Sequence, residues 1–253
     1  AVMCIDNPVV RELLPEVPCP VRTYGVSDDA DIKVVNMSQA GVLNHFDVIA
    51  DGYDTLSVTL NMPGHHNVLN ALAAITIARE AGVSEKAIQR SLEKFQGVGR
   101  RFQIHEGVNC CGQEITLVDD YGHHPKEIEA TLQAAKASWP EQSLTLVFQP
   151  HRFSRTRDLF DDFAEVLSKV DRLILTEVYP AGEEPINGAD SRTLARAIRG
   201  RGKVEPVFVE CVDDIPEALG GIISSGDHVL MMGAGSIGKL AKQMVSDKSG
   251  GGQ

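Results

Sequence analysis

Inside seven residues, Asp119-Asp120-Tyr121-Gly122-His123-His124-Pro125, the chain places two carboxylates, a phenol and two imidazoles. A turn needs only Gly122 and Pro125. The five ionisable or polar side chains around them read as groups that bind a ligand or handle a proton. A second string, His151-Arg152-Phe153-Ser154-Arg155-Thr156-Arg157, crowds four potentially cationic side chains at the expected start of a helix. The macrodipole disfavours cations there by about 0.3–1 kcal/mol each. A bound phosphate or carboxylate would reverse that sign, because guanidinium forks and free N–H groups both favour anions. The plainer alternative is a solvated face balanced by Asp158, Asp161 and Asp162.

Smaller signals accompany these two. Asn67 and Asn70, three apart, are expected on one face of a helix's first turn, where their amides suit an adenine edge; simple N-capping by Asn67 is the alternative. Arg100-Arg101 reads either as a pair that closes on a polyphosphate or as a solvated surface pair. Gly233-Ala234-Gly235-Ser236-Ile237-Gly238 follows an apolar run and matches the dinucleotide fingerprint. That motif needs a further strand and an acidic residue about twenty positions on. Fifteen residues follow Gly238, the last six a Gly-rich tail, so a nicotinamide dinucleotide site is not expected to be completed. The glycines are expected instead to allow a tight strand-to-helix turn with free N–H groups. Cys110-Cys111 is expected to be inert packing or surface, and His45, His105 and His228 stand alone.

These residues need elements to hold them. Ile115 to Val118 reads as a buried strand, and a helical pattern starts near Pro125. The first cluster therefore sits at the carboxyl end of a strand, the edge where open α/β sheets bind ligands. Beyond a break at Gly97-Val98-Gly99, strands at 102–105, 115–118, 144–148, 172–178, 204–209 and 228–232 alternate with helices near 126–138, 157–169, 190–199 and 214–223 and from Ile237. That alternation predicts a Rossmann-like, doubly wound and mostly parallel sheet. Before the break, apolar runs at 1–5 and 21–26 flank a helical stretch, Val9 to Leu14. Alternating runs from Ile32 to Leu60 predict an antiparallel meander, followed by a helix at 67–81 and a second one capped by Ser84. We expect α/β domains over 1–98 and 99–247 and a disordered tail over 248–253. Because the chain begins without Met and directly on a strand, it is expected to be a fragment.

Composition narrows the function classes. Of 253 residues, 43% are hydrophobic and 23% charged, which is ordinary globular material. A net charge of −11 argues against a nucleic-acid binder, since that affinity rests on cationic contacts. Five cysteines without C-x-x-C spacing suggest neither a disulfide framework nor a zinc site, and fit a reducing cytoplasm. The longest apolar run is too short to span a bilayer, so no membrane insertion is expected.

Taken together and in order, the motifs resemble those of the Mur ligase family, in its alanine-adding branch. The matching segments are Gly64 to Asn70, Gly97 to Gln103, Val118 to Pro125, Phe148 to Phe163, Glu177 to Pro185, Gly188-Ala189-Asp190-Ser191 and Gly233 to Gly238. The resemblance implies the back of a central ATPase domain followed by a complete C-terminal domain. It further implies ATP- and Mg2+-dependent joining of L-alanine to UDP-N-acetylmuramate through an acyl phosphate. By that resemblance Asn67, Asn70, Arg101 and Asp120 would bind ATP. Tyr121, His123, His124, His151, Arg152 and Arg155 would bind substrate, with His123 best placed to position it and no metal ligand or certain catalytic group in this stretch. The family's Gly-x-x-Gly-Lys-Thr/Ser phosphate loop is missing from the sequence, so this stretch alone is not expected to form the peptide bond. Two other classes stay open: a module that binds an amino acid or nucleotide without catalysis, and an NAD-dependent oxidoreductase.

Overall fold

The structure, a computed structural model, describes residues 1–247; the expected disordered tail lies outside the described residues. The chain divides into two compact units, one of residues 1–97 with Ala137–Trp139, the other of Val98–Lys136 with the chain from Pro140 on.

The first unit runs β1 (Val2–Cys4), α1 (Pro8–Leu13), β2 (Arg22–Gly25), β3 (Ile32–Ala40), β4 (Leu43–Ala50), β5 (Leu56–Leu60), α2 (His65–Glu80) and α3 (Glu85–Glu93). Its five strands lie in sequence order, parallel through β1-β2-β3 and antiparallel through β3-β4-β5. Alternation drives the meander. Phe46, Val48, Val58 and Leu60 turn inward onto Val68, Leu72 and Ile75 of α2. Ser84 does stand at the N-cap of α3, but its side chain makes no capping bond.

The second unit adds β6 (Gln103–Cys110), β7 (Gln113–Asp120), α4 (Pro125–Ser138), β8 (Leu144–Phe148), α5 (Phe153–Asp158), α6 (Phe160–Leu167), β9 (Arg172–Thr176), α7 (Ser191–Gly200), β10 (Val207–Val209), α8 (Ile215–Gly220), β11 (His228–Met232) and α9 (Ile237–Asp247). Its sheet has the order β10-β9-β8-β11-β7-β6. Every pairing is parallel except β6 with β7, a hairpin closed by Cys111-Gly112, so the sheet is mostly parallel with one antiparallel edge strand. Leu117, Val147, Ile174, Val229 and Met231 pack on α8 and α9 on one face. The intervening Phe148 meets Phe163 of α6 on the other, ring centroids 5.7 Å apart. The chain leaves β8 through α5 and α6 on one face and leaves β11 through α9 on the opposite face. Neighbouring strands that part in this way open a crevice at their carboxyl ends. Register completes the arrangement, since Met232 pairs with both Asp120 and Phe148.

The helix expected over 157–169 is two helices that meet at Leu159. The first starts at Phe153, so Arg155 and Arg157 lie in its last turn. There the macrodipole favours cations, which reverses the expected helix-start argument for these two residues. Asp158 ends α5 instead of opening a helix, while Asp161 and Asp162 open α6.

Candidate active site

Three loops emerge side by side from the ends of β7, β11 and β8. Backbone bonds tie them together: Gly233 N–H donates to Asp120 O at 3.2 Å, and Gln149 N–H to Met232 O at 3.0 Å. The loop after β9 joins them, as Arg152 N–H donates to Tyr179 O and Tyr179 N–H to Pro150 O, each at 2.8 Å. On this scaffold four rings form a continuous row. Tyr121 meets His123 edge-on at 5.3 Å, His123 lies 5.8 Å from His151, and His151 stacks on Tyr179 at 5.4 Å. Arg155, one helical turn beyond His151, donates from Nη1 to His151 O at 3.2 Å and approaches Nδ1 at 3.4 Å. Arg152, half exposed, is drawn to Glu183 at 3.8 Å. The structure thus brings Tyr121, His123, His151, Arg152 and Arg155 together across two strands, and adds Tyr179.

His123 donates from Nδ1 to Tyr121 O at 3.0 Å, which leaves Nε2 to face a ligand. His124 does something else. Its Nδ1 accepts from Lys126 N–H at 3.2 Å and caps α4, a local role beside the substrate role expected of it. Glu127 completes that cap by accepting from His123 and His124 N–H at 2.9 and 3.1 Å.

Asp120, expected at the nucleotide, is held by the backbone. It is buried at 6% exposure, and its two oxygens accept from Phe102 N–H at 2.8 Å and Gly122 N–H at 2.7 Å. It ties the segment before β6 to the loop after β7. Gly122 is required here, because a Cβ would sit 2.7 Å from the Asp120 carboxylate and from Met232. Its neighbour Asp119 pairs with Arg100 at 3.2 Å. Arg100 also donates to Gly233 O at 2.5 Å and lies over the Tyr121 ring at 5.0 Å, clamping three segments at once. Arg101 is the exposed member of the pair, with half its side chain in solvent and Glu127 3.9 Å away.

The glycine fingerprint has a packing role. A Cβ on Gly233 would lie 2.7 Å from Gln149 O, one on Gly235 2.7 Å from Tyr179, and one on Gly238 2.5 Å from Arg100. Gln149 accepts from Ile237 N–H at 3.0 Å and so caps α9 across the crevice. The glycines thus let Gln149, Tyr179 and Arg100 pack against the turn, and of its N–H groups, which were expected to be free, that of Ile237 is engaged.

In the first unit Gly64, at φ 91°, is the N-cap of α2, so Asn67 is not. Asn67 is buried and donates to Pro63 O at 2.8 Å, while Asn70 is exposed; the two do not share one solvent-facing surface. Asn44, which no sequence motif marks, steadies the same turn by donating to Met62 O at 2.7 Å.

Burial pushes the His151 imidazole below its usual 6.5, and the charges of Arg155, His123 and Arg152 push it the same way. The ring is therefore neutral near pH 7. A bound anion would favour the imidazolium, so anion binding takes up a proton as pH falls. Arg155→Gln is expected to raise the His151 titration midpoint, though not fully to 6.5, because burial persists. Imidazole proton shifts followed by NMR against pH would show this, and an unmoved midpoint would detach Arg155 from the ring.

Comparison with known proteins matches the middle-domain model of the Mur ligases over residues 1–78 and the Mur ligase, glutamate ligase domain over residues 100–235. A UDP-N-acetylmuramate–L-alanine ligase of Methylococcus capsulatus is 52% identical over 96% of this chain and 52% of the relative. The solved UDP-N-acetylmuramate–alanine ligase of Thermotoga maritima superposes with a TM-score of 0.73 at 29% identity, over 91% of this chain and 48% of that one. The Thermotoga maritima MurF ligase, solved with ADP, shares the fold at a TM-score of 0.69 and 17% identity, over 98% of this chain and 53% of that one. The chain spans about half the length of the curated relatives it matches.

Proposed function

The chain belongs to the Mur ligase family, and from that premise we propose that it is part of an ATP-dependent ligase joining L-alanine to UDP-N-acetylmuramate. The carrying observation is the row Tyr121-His123-His151-Tyr179 with Arg155 beside it, at the carboxyl edge of a doubly wound sheet. An amino acid brings an anion and an amine, and the row offers both a guanidinium and an imidazole acceptor. Arg155 and Arg152 hold the alanine carboxylate. His123 turns Nε2 toward the amine and positions it. In this reading the exposed Arg101 meets phosphate charge; on the first unit, the exposed Asn70 is the candidate for a nucleotide contact, with Asn67 holding the turn before it.

In the reaction, ATP transfers its terminal phosphoryl group to the muramate carboxylate, the alanine amine attacks that acyl carbon, and phosphate leaves. Both steps build negative charge, which fixed cations stabilise. Among the described residues no group of three His, Cys, Asp or Glu side chains is placed to hold a metal. Magnesium enters the proposal only with the nucleotide's phosphates. No helix among the described residues is long and apolar enough to cross a membrane. The five cysteines are all free thiols, which fits the proposed cytoplasmic setting.

The test is phosphate release by the longer protein that contains this chain, supplied with ATP, magnesium and UDP-N-acetylmuramate. Release that appears only on adding L-alanine is expected. No release, with L-alanine still binding calorimetrically, would favour the non-catalytic module.

A further inference from the structure

The β6–β7 hairpin turns at Cys111-Gly112, at the far end of β7 from Asp120. Eight strand residues at about 3.3 Å each put it roughly 25 Å from the ring row. Adjacent strand residues point to opposite faces, yet both cysteine side chains point the same way here. Cys111 takes φ 50° and Gly112 φ 83°, a two-residue turn with both centres left-handed. Such turns favour Asn-Gly, and a cysteine in the left-handed region pays about 1 kcal/mol. The result is that Cys110 and Cys111 both direct Sγ at one acceptor, Pro216 O of α8, at 3.8 and 3.3 Å. Helix α8 is shaped to admit them: a Cβ on Gly220 would lie 2.9 Å from Cys111 Cβ and 3.1 Å from its sulfur. Met244 of α9 lines the same open recess of about 320 Å³, together with Asn109, Leu240 and Gln243.

We propose that Cys110 and Cys111 form a chelating dithiol, with the Met244 thioether beside it, for a thiophilic low-coordinate acceptor such as Cu(I) or a trivalent arsenical. Thiolates and thioethers are soft donors that select such species over ions requiring larger sets of oxygen or nitrogen ligands. Cu(I) binding forms two Cu–S bonds and releases two thiol protons, with no change of oxidation state. An aryl arsenoxide forms two As–S bonds, and its oxygen leaves as water with the two protons. Because each thiol gives up its proton to the acceptor, chelation tightens as pH rises.

The experiment is anaerobic titration of this chain with Cu(I) against a chromophoric chelator, and with phenylarsine oxide read by intact mass. One equivalent of each is expected to bind to the pair. Cys111→Ser and Cys110→Ser should each weaken binding by about 10²-fold or more, since the second sulfur acts at high effective concentration. Met244→Leu should weaken Cu(I) alone and leave the arsenical adduct unchanged, which distinguishes the two acceptors. Cys111 is exposed, so its serine variant keeps the test valid if Cys110→Ser unfolds. Wild-type affinity in folded Cys111→Ser would overturn the proposal.

Discussion

Asp120→Ala is expected to destabilise the second unit by about 3 kcal/mol, because hydrogen bonds to a charged group are worth about 1.5–3 kcal/mol each. Two such bonds would go at once. The donors Phe102 N–H and Gly122 N–H would be left buried with no acceptor in place of the carboxylate. Phe102 also sits at φ 49°, a left-handed conformation that costs a non-glycine residue about 1–2 kcal/mol and persists only while held. Asp120→Asn should cost about half as much, since one amide oxygen can accept while the NH2 faces a second donor. Amide hydrogen exchange at Phe102 and Gly122, alongside urea unfolding of the unit, would measure both variants. A loss below about 0.5 kcal/mol, the range of ordinary surface substitutions, would refute the tie.

The same carboxyl supplies a pH signature. Burial raises its titration above the usual 3.8, against the two backbone N–H bonds that pull it down. The native chain thus holds this proton more tightly than the unfolded chain. Its contribution is full below pH 3.8 and is lost as pH rises through the native value. Asp120→Asn must lack that slope.

Asp120 shows where sequence reading stops. Alternating apolar runs and helical periods made the meander and most of the second sheet legible, because burial on one or two faces imposes those periods directly. The antiparallel edge was not legible, and its turn at Cys111-Gly112 was read only as packing or surface cysteine. The break at Leu159 had its own marker, the paired acids Asp161 and Asp162 that open α6. Among site residues, the histidines and arginines stood out by type. Gln149, Glu183 and Tyr179 did not, since each gains its role from a partner distant in sequence: Gln149 from Ile237, Glu183 from Ser154, Tyr179 from His151. Local composition carries no trace of such partners. It also cannot tell a carboxylate that binds a ligand from one that ties two backbone amides.

Arg155→Ala is expected to raise the apparent KM for L-alanine by about 10²-fold in the longer protein, the loss of one charge-assisted, two-pronged contact of about 2–3 kcal/mol. The KM for ATP should stay within about twofold. The reasoning is geometric. Arg155 is half-buried, its contacts with His151 engage Nη1 alone, and the guanidinium carries five donors. Position in the last turn of α5 gives it a favourable dipole without any bound anion, so its removal should cost little stability and act mainly on binding. Arg157 is the control. It lies two residues on, exposed and paired with Asp158 at 2.8 Å, and Arg157→Ala should leave both KM values unchanged. Arg155→Lys should recover only part of the loss, because an ammonium meets a carboxylate as a point charge and not as a fork. Equal KM shifts for alanine and ATP in Arg155→Ala would place this arginine on the nucleotide and not on the amino acid. An unchanged KM for alanine would take it out of the substrate pocket altogether, leaving Arg152 as the carboxylate's partner.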